Sequence, residues 1–128
     1  MSELTEFQTE INMRDKQLIM EAVRRINSEN QFYDWTIQEN GVVRDWHGKT
    51  ENVDLLVKIG KLDGYGIGFK WEHGMVRVIC DSMMLHHAEY LKEKYAEVAI
   101  ERILRKRGYI VQKHNIKDRK FAFVGRRA

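Results

Sequence analysis

Proline is absent from the 128 residues, and cysteine occurs once, at Cys80. No apolar run approaches the length of a membrane-spanning helix, about 18 residues. With neither proline nor a Gly/Ser-rich stretch to mark a linker, a single domain over 1–128 is expected. One cysteine excludes an internal disulfide and a cysteine-only zinc site, and a reducing compartment follows as the default. The opening Met1-Ser-Glu-Leu-Thr-Glu is acidic and polar, unlike a signal peptide, so a cytoplasmic location without a membrane is expected. No G-x-x-x-x-G-K-[ST] phosphate loop, H-E-x-x-H pair or repeated Cys/His spacing occurs.

What is present is a soluble, globular composition, 43% hydrophobic and 32% charged, that can bury a core. Its net charge of +3 hides an asymmetry. Residues 101–128 carry ten Lys/Arg against Glu101 and Asp118, a balance of +8, which leaves 1–100 at −5. Such a basic quarter suits nucleic acid, an acidic protein or an anionic ligand. The plainer alternative is a solvated surface with cations favourably placed at a helix end.

Apolar spacing supplies the elements. A short strand is expected in the first dozen residues, around Leu4 and Phe7. Asn12 is the expected cap of a helix whose apolar stripe is Leu18, Ile19, Ala22, Val23 and Ile26. Strands at 32–37 and 42–46 flank Asn40-Gly41, a strong local turn signal. Val53, Leu55, Val57 and Ile59 alternate as a half-buried strand. Strands follow at 65–71 and 75–80 around Glu72-His73-Gly74. A helix from about Met84 to Arg107 turns Ala88, Leu91, Tyr95, Ala99 and Ile103 to one face, with Gly108 as its stop. Residues 109–112 and 120–124 read as a closing hairpin. This order predicts an α+β fold: a largely antiparallel sheet of about six to seven strands with two helices packed on one face.

Within Tyr65-Gly-Ile-Gly-Phe-Lys-Trp71, the large side chains share one face of a strand, and Gly66, Gly68 and Lys70 share the other. Dinucleotide loops place such glycines between a strand and a helix, whereas these lie inside a strand that leads into a hairpin. They read as a bare ledge beneath another element, a helix by expectation.

Chemistry is thinly signalled. His86-His87 is the one local hint of a metal, and adjacent helical residues diverge by about 100°. Cys80 alternates with Val76 and Val78 and reads as packing rather than as a nucleophile. No carboxylate pair is singled out. No catalytic, cofactor-binding or metal residue is therefore assigned. The candidate anion-binding residues are Arg102, Arg105, Arg119, Lys120, Arg126 and Arg127. Tyr109, Phe121 and Phe123 offer only a weak base-stacking pattern beside them.

Val53-Asp-Leu-Leu-Val57, Gly66-Ile-Gly-Phe-Lys-Trp71, Val78-Ile-Cys-Asp81, Tyr95-Ala96 and Gly108-Tyr-Ile-Val111 occur in a characteristic order. The pattern resembles the hypothetical chloroplast reading-frame thirty-five family of plastids, cyanobacteria and some bacteriophages. Gly66 replaces the aspartate usual before Ile-Gly-Phe, and Glu93-Lys94 replaces a frequent Gln-Arg. The resemblance implies a small soluble protein and transfers no catalytic residue. Three functions stand in order: a binding or adaptor protein using a sheet surface and the basic quarter, an anion-binding module for nucleic acid or nucleotide, and a metal-dependent enzyme using His86 or His87.

Overall fold

The computed structural model describes residues 2–61, 65–115 and 121–127, with side chains for 2–61 and 65–111. The expected α+β architecture is present. Along the chain run β1 (Leu4–Glu6), α1 (Lys16–Glu29), β2 (Trp35–Arg44), β3 (Thr50–Ile59), β4 (Ile67–Glu72), β5 (Met75–Asp81), α2 (Leu85–Lys106), β6 (Tyr109–Asn115) and β7 (Phe121–Arg127). Five strands form an antiparallel sheet in the order β1-β5-β4-β3-β2, and β6 and β7 form a separate antiparallel hairpin.

Both helices pack on one face. The α1 stripe Leu18, Ile19, Ala22, Val23 and Ile26 is buried throughout. It meets Leu55, Val57, Ile67, Phe69, Val78 and Cys80 of the sheet and Ala88, Leu91 and Tyr95 of α2. The cap of α1 is Asp15, three residues beyond the expected Asn12; its carboxylate accepts the N–H groups of Gln17 at 2.9 Å and Leu18 at 3.3 Å. The reason lies in packing. Met13 is fully buried, and Trp71 Nε1 donates to the Arg14 carbonyl at 2.9 Å, so both residues are held in place ahead of the helix.

Asn40-Gly41 does not reverse the chain. Pairing runs through it, from Glu39 opposite Leu55 to Gly41 opposite Val53, so the two expected strands are halves of one. Asn40 adopts φ 54°, a left-handed kink inside β2, and the reversal comes at Asp45–Lys49. The β4–β5 turn is as expected: His73 and Gly74 both have positive φ, as a two-residue hairpin loop of the favoured hand requires.

The kinked β2–β3 hairpin curls over the second face of the sheet. Val43, Val53, Leu56 and Ile79 form a small cluster there, with Leu4 against it. Gly68 of the expected ledge is thus covered by Val43 and Val53 of neighbouring strands rather than by a helix, whereas Gly66 lies one residue before β4, against the Val57 carbonyl. Beyond the cluster, Arg77 binds Glu6 at 2.7 Å, Glu51 at 3.3 Å and Glu72 at 3.5 Å, while Lys70 lies 3.2 Å from Glu72.

Cys80 is fully buried on the helix side, and burial, helped by the Asp81 charge, pushes its thiol up to about 12. A maleimide or iodoacetamide reagent should leave the native protein unlabelled and modify it fully once unfolded. Rapid labelling of the native state would contradict this packing. No helix among the described residues is long and apolar enough to cross a membrane.

Candidate binding surface at the end of the second helix

The buried residues of α2 stop at Val98, with Ala99 partly buried against the core. Farther along, Ile100 is 42% exposed and Ile103 51%, so Ile103 does not join the core as its spacing suggested. The helix outlasts the surface that could bury it. Arg105 and Lys106 occupy its last turn, where cations suit the negative end of the dipole, and Gly108 follows at φ 83°.

Between this end of α2 and α1 lies a groove of about 390 Å³. Its α1 wall carries Glu21 and Arg25, and its α2 wall Glu101, Arg102, Arg105 and Lys106. Arg25 Nη1 reaches Glu101 at 2.7 Å and Glu97 at 3.2 Å. Arg105 holds the other oxygen of Glu101 from two nitrogens, at 2.9 and 3.1 Å. Burial works against the Glu101 charge, yet the hydrogen bonds from Arg25 and Arg105 together hold its carboxyl below the usual range. The same balance raises Arg25 above its ordinary value, partial burial being outweighed by the two glutamates.

Arg102 and Lys106 make no ion pair among the described residues. One helical turn apart, they share a face bordered by Ile103 and then Ile100. The hairpin extends this surface. Its register sets Tyr109 opposite Arg127 and Ile110 opposite Arg126, next to the helix end, and Ile110 is 43% exposed.

Of the six candidate anion-binding residues, Arg102 and Arg105 lie on α2, and the backbone of Arg126 and Arg127 on β7 pairs with Ile110 and Tyr109, just past the helix end. Arg119 and Lys120 lie outside the described residues. Arg105 is committed to Glu101, which leaves Arg102 as the available cation of the α2 pair. Lys106 and the three isoleucines were missed. Lys106 was visible as the next cation at helical spacing, whereas Ile100 and Ile103 lie about 180° and 120° round the helix from buried Leu91, and Ile110 belongs to β6.

The rings of His86 and His87 lie 3.9 Å apart, and His87 meets the buried Trp35 edge-on at 5.7 Å. Among the described residues, no three His, Cys, Asp or Glu side chains converge as a metal-binding group would. Trp46 is 65% exposed and Trp71 half-buried, so the three tryptophans divide among core, boundary and surface. No protein-family model, curated protein or solved structure matches the chain.

Proposed function

We propose that the chain is a non-catalytic binding or adaptor protein that recognises an acidic protein partner through the end of α2 and the adjoining start of the β6–β7 hairpin. One observation carries the reading: exposed Ile100 and Ile103 adjoin Arg102 and Lys106 on α2, cations with no ion pair among the described residues, and exposed Ile110 follows just past the helix end. Exposed isoleucines beside cations suit an apolar surface rimmed by carboxylates. The motifs at 53–111 support kinship with the hypothetical chloroplast reading-frame thirty-five family and a cytoplasmic setting as parts of the same proposal.

Arg102 and Lys106, without an ion pair among the described residues, also favour a second reading, an anion-binding module for nucleic acid or a nucleotide. The two readings separate experimentally. Ile103→Asp and the pair Arg102→Glu/Lys106→Glu change exposed positions and should leave stability within about 0.5 kcal/mol. A captured protein partner should lose at least about tenfold in affinity with either variant, equivalent to about 1.4 kcal/mol. Binding of single-stranded DNA should instead survive Ile103→Asp, fall with the charge reversals and weaken steeply as salt rises. A partner whose affinity neither variant changes would remove this surface from the function.

A further inference from the structure

A second feature lies at the β1 edge of the five-stranded sheet. β1 pairs only with the later part of β5, from Leu4 opposite Asp81 to Glu6 opposite Ile79. The Phe7 N–H adds one last bond, to the Val78 carbonyl at 2.7 Å. Farther along, no described residue of the β1–α1 connection pairs with Met75, Val76 or Arg77. A cleft of about 510 Å³ separates that connection from the free edge, within the size range of ligand sites.

Strand geometry says what this cleft presents. Phe7 donating to Val78, and Ser82 donating to Glu3 at 2.8 Å, show that even-numbered residues of this stretch turn their backbone groups toward β1. The same alternation sends the Val76 N–H and carbonyl outward, where they have no backbone partner among the described residues. Phe7 and Ile11 supply an apolar wall on the helix side, where Val76 also packs. Arg77 lies on the other side with Glu6 and Glu72, which also line the cleft.

We propose that this cleft is a strand-addition slot for an extended peptide segment of a partner protein. Paired donors and acceptors on a free edge are complementary to another main chain. A peptide residue opposite Val76 exchanges both hydrogen bonds and turns its side chain toward Phe7 and Ile11, so it is apolar. Its two neighbours turn to the face of Arg77. There Glu6, Glu51 and Glu72 outnumber Lys70 and Arg77, so those neighbours are lysine or arginine. The recognised segment is cation–apolar–cation in extended form. The slot stands independently of the basic surface on α2, and with both in use the chain bridges two partners.

The probe is fluorescein-labelled Thr-Lys-Leu-Lys-Thr with capped ends, followed by anisotropy and by amide shifts of the ¹⁵N-labelled protein. Saturable binding is expected, with the largest shifts at Gly74–Arg77. Methylating the leucine nitrogen removes one main-chain donor and should weaken binding about tenfold, as should exchanging both lysines for glutamate. Val76→Pro deletes the outward N–H without touching a β4 bond, because Val76 faces Trp71 in a non-hydrogen-bonded pair, and should weaken binding equally. If that variant unfolds, the methylated peptide decides. No saturable binding, undiminished binding of the methylated peptide, or shifts centred on α2 would overturn the slot. Concentration-dependent dimerisation that Val76→Pro abolishes would overturn it too, by making a second copy the occupant.

Discussion

Gly66→Ala is expected to lower the melting temperature by about 10 °C, corresponding to roughly 3 kcal/mol. A Cβ built on Gly66 would lie 2.2 Å from the Val57 carbonyl oxygen and 3.0 Å from its carbon. Backbone cannot rotate aside as a side chain can, and Val57 is locked in the central ladder opposite Ile67 and Ile37. Relief therefore requires the entry to β4 to move away from β3. Gly68 offers a contrast. Its added Cβ would meet Val53 Cγ1 at 2.6 Å and Val43 Cγ1 at 3.2 Å, methyl groups of the small second cluster. Gly68→Ala should cost less, roughly 1–2 kcal/mol, and part of that should return in the double variant with Val53→Ala. Thermal melts of the three proteins test the ordering. A Gly66→Ala melt within about 2 °C of the parent would show that β3 and β4 do not approach this closely.

The glycines illustrate how far the sequence could be read. Alternation in Tyr65–Trp71 was enough to show a strand with Gly68 and Lys70 on the face away from Ile67 and Phe69, because side-chain direction depends only on local period, although the strand begins at Ile67 and leaves Tyr65 and Gly66 outside it. What covers that face is not local. It is set by a kink at Asn40 and by the pairing of β2 with β3 across it, and the same Asn-Gly dipeptide in isolation signals a chain reversal. The α1 stripe was legible for the opposite reason: all five of its apolar residues face the sheet along the whole helix. On α2 the apolar period continues to Ile103, but the buried face ends at Val98, since periodicity does not record where the sheet stops. The candidate surface was half legible. Charge density marked the C-terminal quarter, while the meeting of α2 with Arg126 and Arg127 follows from strand register. The free edge at Val76 left no sequence signal, because it depends on how few residues β1 contributes.

Asp81→Ala is the second large loss expected, again roughly 3 kcal/mol, for reasons of closure rather than crowding. Asp81 is fully buried at the end of β5. One oxygen accepts the Met83 N–H at 2.8 Å and caps the short turn leading into α2. The other accepts the Trp46 N–H at 2.7 Å and the Ser2 hydroxyl at 3.0 Å. The Trp46 bond crosses from β5 to the far end of the β2–β3 hairpin, and Asp45 answers it. Asp45 accepts the Leu4 N–H of β1 at 3.1 Å and the N–H groups of His47 and Lys49, each at 2.9 Å. Two buried carboxylates thus pin the curled hairpin to the opposite edge of the sheet, and removing either strands donors that water reaches poorly. Because they fasten the same joint, losses from Asp45→Ala and Asp81→Ala should be less than additive in the double variant. The joint also predicts an acid response. Burial opposes ionisation of Asp45, but the N–H groups of Leu4, Lys49 and His47 outweigh it and hold its carboxyl below the ordinary value. A folded value below the unfolded value of about 3.9 makes this stabilisation complete above that pH and lost as pH falls through the folded value. Glu6, lowered chiefly by Arg77, and Glu72, lowered chiefly by Lys70, act in the same direction. Melting temperature should therefore be level between about pH 6 and 8 and fall below about pH 4.5. Asp45→Asn should start lower and fall less steeply in acid. A variant whose acid limb runs parallel to the parent's would show that Asp45 does not hold the hairpin closed.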